Sequence, residues 1–158
     1  MACGTAIDYG KRNGMNDKSI PRNFMMSPDE QPPLANLLGI KMTHVSPERV
    51  TAEMPVTEHL SNRNHVAHGG VLMALADNCG GTAACANLPP KGGSTATIES
   101  KTNFFAPIPV GDVATAECTP LHRGRTTTVW QTRITRGDGK LAAIVTQTQL
   151  MMSKPGKE

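Results

Sequence analysis

One helical segment of small and apolar residues, followed by four long alternating segments, most constrains what this chain can fold into. The helix opens at His68-Gly69-Gly70, continues through VLMALADNCGG and is expected to end before Pro89-Pro90. The alternating segments are rich in Thr, Val and Ile, which is typical of strands. They are TATIESKTNFF at 95–105, DVATAECTPL at 112–121, RTTTVWQTRIT at 125–135 and KLAAIVTQTQLMM at 140–152. The Asp-Gly pair in GDGK at 137–140 predicts a hairpin turn.

The first half of the chain predicts one short helix and two more strands. PPLANLLGI starts with two prolines and ends at Gly39, as a short helix would. IKMTHV at 40–45 is a strand candidate, and RVTAEMPV alternates after it. Its apolar face comprises Val50, Ala52, Met54 and Val56. About six strands and one long helix predict an α+β fold, with a single sheet wrapped around the helix and the last four strands as antiparallel neighbours.

The 158 residues suffice for one domain with its own core. Residues 1–31 are polar and irregular, and we treat them as an N-terminal extension. The domain itself is expected over 32–152, followed by a polar tail at 153–158. No internal repeat is visible.

Composition excludes several function classes. The net charge is only +3, and no run of five like charges exists, which disfavours a nucleic-acid partner. One Trp, one Tyr and three Phe also leave little surface for base stacking. No apolar stretch approaches the roughly 20 residues of a membrane span, and the N-terminus lacks the apolar centre of a secretory signal.

The cysteines give no sign of a metal or redox site. Cys3, Cys79, Cys85 and Cys118 have no such spacing. Two of them fall on the long helix, where they are expected to be small core residues. We therefore expect reduced thiols and a cytoplasmic protein that binds no metal.

Gly69 and Gly70 stand where the long helix begins. The N–H groups of a first helical turn have no intrahelical partner, and the helix dipole adds partial positive charge there. Such donors suit a carbonyl oxygen that must become an oxyanion. The alternative interpretation is that the two glycines only form a loop or allow another backbone to approach closely.

Asp77 is the carboxylate on that helix. Its neighbours three and four positions away are Met73, Ala74, Gly80 and Gly81, so no helical cation pairs with it. The small residues leave room for a substrate to approach, which is expected for a general base or a nucleophile. The alternative is an ordinary exposed helix aspartate.

The run from Asn62 through HGG to Asp77 resembles the hotdog-fold acyl-CoA thioesterases of the phenylacetate-degradation and 4-hydroxybenzoyl-CoA thioesterase type. The resemblance covers residues 32–152. It extends over LLGI, HGGVLMALAD, TIESKTNFFAPIPVGD at 97–112, HRGRTTTVWQTRIT at 122–135 and GDGKLAAIVTQTQ at 137–149. His65 departs from the pattern, since many members have glycine there. His65 could narrow an acyl pocket, but a loop residue is the interpretation we favour.

The resemblance implies hydrolysis of an acyl-CoA thioester to a free acid and CoA, without metal or cofactor. It assigns the Gly69 N–H to the thioester carbonyl and the His68 side chain to steadying that loop. Asn62 would hold the carbonyl or the attacking water. Asp77 would activate water as a base or attack as a nucleophile, and the sequence leaves both open.

Two further residues are candidates on the strand at 95–105. Thr97 matches a hydroxyl that orients the water, although it could be an ordinary strand threonine. Glu99, two residues on, is expected on the same face and is the reserve candidate for the base.

The turn at His122, Arg123, Gly124 and Arg125 is the candidate site for the nucleotide half of CoA, together with Gly70 for the substrate. Guanidinium groups are good hydrogen-bond donors to phosphate oxygens. The alternative interpretation is an ordinary solvated turn that binds no nucleotide. Lys91, in the turn after the helix, is a weaker candidate for the same role.

Helix geometry separates the oxyanion donor from the carboxylate. At 1.5 Å per residue, Gly69 and Asp77 lie about 12 Å apart along the axis, yet one carbonyl carbon must be close to both groups. A two-fold axis solves this, because it places one residue beside a different residue of the second copy. We therefore expect a homodimer with shared sites, and a dimer of dimers is the expected tetramer.

Two alternatives remain for the function. One is a non-catalytic acyl-CoA sensor, against which Asp77 argues, since a binding protein has no use for a base. The other is an acyl-CoA hydratase or dehydratase of the same fold, which usually pairs Asp and His in a different arrangement.

Overall fold

The alternating segments become the strands of one antiparallel sheet, and the small-residue segment becomes its helix. The computed structural model describes residues 31–89 and 92–153. The elements in chain order are α1 (Pro33–Leu37), β1 (Lys41–Val45), β2 (Val50–Pro55), a 3-10 helix (Glu58–Leu60), α2 (Gly69–Ala86), β3 (Gly93–Phe104), β4 (Val113–Arg123), β5 (Thr127–Thr135) and β6 (Leu141–Ser153). Most of the expected extension, the tail after Ser153, Cys3 and Lys91 lie outside the described residues.

The sheet has six strands in the order β1-β2-β4-β5-β6-β3, and every neighbouring pair is antiparallel. The prediction that the last four strands are antiparallel neighbours is therefore confirmed. β3 pairs with β6 rather than with β4, its neighbour in sequence. This crossover leaves β3, a strand of 12 residues, at one edge of the sheet.

The predicted face of β2 is buried. Val50, Ala52 and Met54 are fully inaccessible, and Val56 is nearly so, whereas Glu53 on the opposite face is exposed. Alternation of this kind fixes the strand register, because a one-residue slip would expose the whole apolar set.

α2 lies across the sheet and contacts all six strands. Its buried face consists of Leu72, Leu75, Ala76, Cys79, Gly80, Ala83, Ala84, Cys85 and Ala86. Most of these side chains are small, which lets the helix axis approach the sheet closely. This is the curved antiparallel sheet around one long helix that defines the hotdog fold, so the predicted fold class is confirmed. No helix within residues 31–89 and 92–153 is long and apolar enough to span a membrane.

The β4–β5 hairpin differs from the sequence prediction at one end. β4 was expected to stop at Leu121, but it continues to Arg123 because a bulge between Pro120 and His122 resets the pairing with β5. Proline has no N–H to donate to the sheet, which favours such an irregularity. His122 and Arg123 are therefore strand residues, and the turn is confined to 124–126.

The hairpin turn predicted at 137–140 is confirmed between β5 and β6. The Arg136 N–H donates to the Lys140 carbonyl at 2.9 Å, and Gly139 has φ of +81°. The Asp138 carboxylate accepts from the Lys140 N–H and from the Arg136 guanidinium. These donors lower the pKa of Asp138 below its ordinary value.

Candidate active site

The N-terminal end of α2 is held by the residue that precedes it. His68 is the N-cap, and its Nδ1 accepts a hydrogen bond from the Gly70 N–H at 3.0 Å. The His68 N–H in turn donates to the Leu60 carbonyl at 2.9 Å. Since Nδ1 accepts, the neutral ring carries its proton on Nε2. His68 thus steadies the Gly-Gly turn, and the Gly70 N–H, considered above as a substrate contact, is already engaged.

Gly69, the first residue of α2, is partly buried. Its N–H stands at the first helical position, where no intrahelical acceptor is available. A Cβ at Gly69 would lie 3.1 Å from Cζ of Phe104, so a larger residue would press on that ring. Phe104 is the last residue of β3 and is half exposed. Gly69, the candidate oxyanion donor, therefore lies under the end of β3.

Asn62 belongs to the loop that folds back onto the same helix end. Its Oδ1 accepts from the Asn64 N–H at 2.8 Å, and its own N–H donates to the Val66 carbonyl at 2.9 Å. A bridge between Ser61 and Ala67 closes the loop beside His68. The structure therefore groups Asn62 with His68 and Gly69 rather than with Asp77.

His65 occupies a backbone conformation that favours glycine. Its φ is +55°, in the left-handed region, which explains why glycine is common at this position in the family it resembles. Histidine is among the residues that tolerate this region better. Its exposed ring lies 2.8 Å from Glu58 Oε1. The interpretation of His65 as a loop residue agrees with this exposure and φ value.

Asp77 sits in the middle of α2, half buried and facing β3 and β6. Its Oδ1 accepts two hydrogen bonds, from Thr97 Oγ1 at 2.9 Å and from Gln147 Nε2 at 2.9 Å. Two donors on one oxygen fix the plane of the carboxylate, and within the described residues no hydrogen bond is formed with Oδ2. The alternative of an ordinary exposed helix aspartate is wrong.

Thr97 is placed beside Asp77, but as a donor to the carboxylate. Its hydroxyl accepts from Gln149 Nε2 at 2.8 Å and passes its single proton toward Asp77. That proton is therefore not free to orient a water molecule, which is the role expected for Thr97 from the sequence. Thr97 instead orients Asp77.

Gln147 and Gln149 are the site residues that the sequence analysis missed. Both are 1% exposed on β6, although glutamine is usually a surface residue. The signal was the alternation in VTQTQ: Val145 predicts that its face is buried, and Gln147 and Gln149 share that face. An amide at two successive core positions indicates a polar partner inside the fold.

The expectation for Glu99 is wrong. A bulge shifts the register, so that Thr97 pairs with Gln149 but Glu99 pairs with Thr148. Glu99 is exposed and accepts a hydrogen bond from Thr148 Oγ1 at 3.2 Å. Because of the extra residue, Glu99 points to the opposite face from Thr97, away from Asp77.

An apolar pocket adjoins Asp77 between the two helices. It encloses about 60 Å³, enough for a few water-sized groups. Its lining residues are Pro32, Leu34, Ala35, Leu38, Ile40, Ala74, Asp77 and Asn78. The Asn78 side-chain amide donates to Gln31 Oε1 at 3.1 Å, which ties the start of the described chain to α2. Asp77 thus stands at the boundary between a buried polar network and an apolar space.

The candidate nucleotide site lies at the other end of α2. Arg123 Nη1 is 3.3 Å from Asn87 Oδ1, just after the helix, and 3.8 Å from Glu48 Oε1. Arg125 is exposed in the turn. A Cβ at Gly124 would lie 2.8 Å from the Thr127 carbonyl oxygen, so the tight turn requires glycine. Arg125 is the freer of the two guanidinium groups.

Within one chain, the two halves of the site stay apart. Gly69 lies beside Phe104 at the end of β3, whereas Asp77 accepts a hydrogen bond from Thr97 near the start of that strand. In the part of the chain that the structure describes, no cluster of three or more His, Cys, Asp or Glu side chains is arranged to hold a metal ion.

Comparison with known proteins agrees with this architecture. The profile of the thioesterase superfamily matches residues 64–143. A candidate esterase of Mycobacterium tuberculosis is 34% identical over 126 residues, covering 74% of this chain and 89% of that protein. A 1,4-dihydroxy-2-naphthoyl-CoA hydrolase of Listeria monocytogenes is 28% identical over 111 residues, covering 70% and 89%.

Solved structures give the same result. A thioesterase of Haemophilus influenzae superposes with a TM-score of 0.72 at 28% identity, covering 79% of this chain and 86% of that one. The PaaI protein of the Escherichia coli phenylacetic acid degradation operon gives a TM-score of 0.72 at 25% identity, covering 79% and 88%. The resemblance noted in the sequence is thereby confirmed: this chain is a hotdog-fold member of the thioesterase superfamily.

Proposed function

We propose that the protein hydrolyses an acyl-CoA thioester to a free carboxylic acid and CoA, with Asp77 as the reacting carboxylate. The observation that carries the proposal is the arrangement of Asp77. Thr97 and Gln147 hold Oδ1 from the protein side, while Oδ2 remains for a reactant beside an apolar pocket. The name of the Listeria relative supports CoA as the leaving group.

Two routes use this carboxylate. As a base, Asp77 takes a proton from water, the resulting hydroxide attacks the carbonyl carbon, and the C–S bond breaks to release the CoA thiolate, which is then protonated. As a nucleophile, Asp77 forms a mixed anhydride with release of the thiolate, and water then hydrolyses the anhydride. In both routes the Gly69 N–H stabilises the charge on the carbonyl oxygen.

We also propose a homodimer whose sites are shared between the two chains, and a tetramer formed by two such dimers. β3 is a long edge strand, and edge strands pair readily with another chain. Ile98, Phe104 and Phe105 are more than half exposed along it. Antiparallel pairing of β3 with a second copy would bring the start of one β3 near the end of the other. Thr97 and Asp77 of one chain would then approach Phe104 and Gly69 of its partner.

The CoA nucleotide is assigned to the region of 122–125, with Arg125 as the principal phosphate contact. We also infer a cytoplasmic location, which is favoured by the free thiols of Cys79 and Cys118.

The test is thiol release from acetyl-, hexanoyl-, benzoyl- and phenylacetyl-CoA, followed with a thiol reagent. Burial raises the pKa of Cys118 to about 11 and that of Cys79 well above its ordinary value, so both stay protonated and unreactive. Asp77→Asn should lower kcat on the best substrate by about 100-fold or more, with the fold retained.

Two outcomes would contradict the proposal. Tight binding of every acyl-CoA without thiol release would identify a sensor. Loss of the double-bond absorbance of an enoyl-CoA without thiol release would identify a hydratase.

A further inference from the structure

Gln147 is a buried amide, and among the described residues its side chain forms one hydrogen bond, to Asp77. It is 1% exposed on β6, and its Nε2 donates to Asp77 Oδ1 at 2.9 Å. The inference drawn from it rests on the proposed function of Asp77.

Two features that lower the stability of the fold accompany this amide. Gln147 Oε1 is buried, and no hydrogen-bond partner exists for it among the described residues. A buried acceptor without a partner lowers stability. The neighbouring helix residue is Gly80, where a Cβ would overlap that same Oε1. Glycine inside a helix is also unfavourable relative to alanine. A leucine or methionine at 147 would avoid the unpaired oxygen.

The amide stands in a directed network. Gln149 donates to Thr97, and Thr97 and Gln147 both donate to Oδ1 of Asp77. An amide N–H can only donate, and the Thr97 hydroxyl, which already accepts, can only pass its proton on. The network therefore has a single direction, and it ends on one carboxylate oxygen.

We propose that Gln147 is a positioning residue for hydrolysis, which together with Thr97 fixes Asp77 so that Oδ2 faces the thioester. Removal of the amide lets the carboxylate rotate between several orientations. Substrate binding is unaffected because the apolar pocket and the CoA contacts do not involve Gln147. The loss therefore falls on kcat and not on KM.

The experiment compares Gln147→Leu and Gln147→Met with the wild-type protein. Both replacements nearly conserve volume and remove the donor together with the unpaired oxygen. We expect kcat to fall about 10-fold or more, KM to stay within about two-fold, and the melting temperature to be unchanged or raised. Gln147→Glu keeps the shape but places an acceptor against Asp77, and its kcat should fall further.

Thr132→Val is the matched control. Thr132 is fully buried on β5, and within the described residues it has no hydrogen bond to the network around Asp77. Its kcat should match that of the wild type.

The kinetics and melting temperatures of these variants decide whether Gln147 is a positioning residue. Wild-type kcat in both apolar variants overturns the inference. Equal losses of kcat and melting temperature, reproduced by Thr132→Val, overturn it as well, since Gln147 would then be only structural. If Asp77→Asn is inactive while Gln147→Leu is fully active, this inference fails and the proposed function stands. If Asp77→Asn is active, the proposed function itself fails.

Discussion

The Thr97 hydroxyl donates a hydrogen bond to Asp77 Oδ1 at 2.9 Å, and this contact joins the edge strand β3 to the middle of α2. The hydroxyl of Thr97 thus orients the carboxylate of Asp77, the group proposed to react. Thr97→Val keeps the shape of the side chain and removes the proton. Because hydrogen bonds to charged groups contribute about 1.5–3 kcal/mol, kcat should fall about 10-fold or more, as measured by thiol release.

Thr97→Ser is the matched control for that loss. Serine retains the hydroxyl, so most of the activity should remain. A Thr97→Val protein as active as Thr97→Ser would show that the hydrogen bond does not contribute to the reaction.

Glu99 provides a second comparison, because the bulge in β3 turns it away from Asp77. Glu99→Gln should keep kcat within about two-fold of the wild type, whereas Asp77→Asn loses about 100-fold or more. Steady-state kinetics on the same acyl-CoA measure both. The reverse order of effects would make Glu99 the reacting carboxylate and would contradict the register described for β3.

Gly80 and Gly81 are adjacent on α2, and their replacement by alanine should change the stability of the fold differently. A Cβ at Gly80 would overlap Gln147 Oε1 and force that side chain to shift. This costs about 1–3 kcal/mol, and alanine recovers about 1 kcal/mol of helix propensity, so Gly80→Ala should destabilise the fold by up to about 2 kcal/mol. A Cβ at Gly81 would have no atom within 4 Å, so Gly81→Ala should stabilise the helix by up to about 1 kcal/mol. Urea unfolding of both variants measures the difference.

A loss of stability in Gly81→Ala would be informative in its own right. It would mean that another chain, or a part of this chain outside the described residues, covers α2 at this position, since no described residue lies within 4 Å of such a Cβ.

The two arginines of the candidate nucleotide site should differ. Arg125 is exposed, whereas Arg123 is already engaged by Asn87 and Glu48. Arg125→Ala should raise KM for acyl-CoA several-fold with little change in kcat, because phosphate contacts are alike in the ground and transition states. Arg123→Ala should raise KM less.

An acyl-pantetheine substrate, which lacks the nucleotide, is the control. Its KM should not respond to Arg125→Ala. An equal penalty on both substrates would mean that Arg125 does not contact the nucleotide.

The proposed shared site predicts complementation between two inactive variants. Asn62→Ala and Asp77→Ala should each lose most activity as pure proteins. In a mixed dimer, one site has both lesions and the other has neither. Random pairing after refolding together makes half of the dimers mixed, so about a quarter of wild-type activity should return. If mixed dimers form and remain inactive, Asn62 and Asp77 act within one chain.

The sequence by itself determined the secondary-structure elements and the positions of the candidate site residues along the long helix. Period-two alternation at Val50, Ala52 and Met54 requires a buried strand face, because successive side chains point to opposite sides. The small residues around Asp77 and the His68-Gly69-Gly70 start of the helix likewise depend only on local geometry. These features were therefore predictable, as was the hotdog fold.

Tertiary structure decided how the site is held together. The contact of Gln147 with Asp77 spans 70 residues of sequence and depends on the crossover that places β6 beside β3. The bulge that turns Glu99 away depends on pairing with β6 and has no signature in the strand's own alternation. Arg123 is likewise engaged by residues from two other segments. Local sequence fixes which way a side chain points on its own element, but only the packing of distant elements fixes which group it meets.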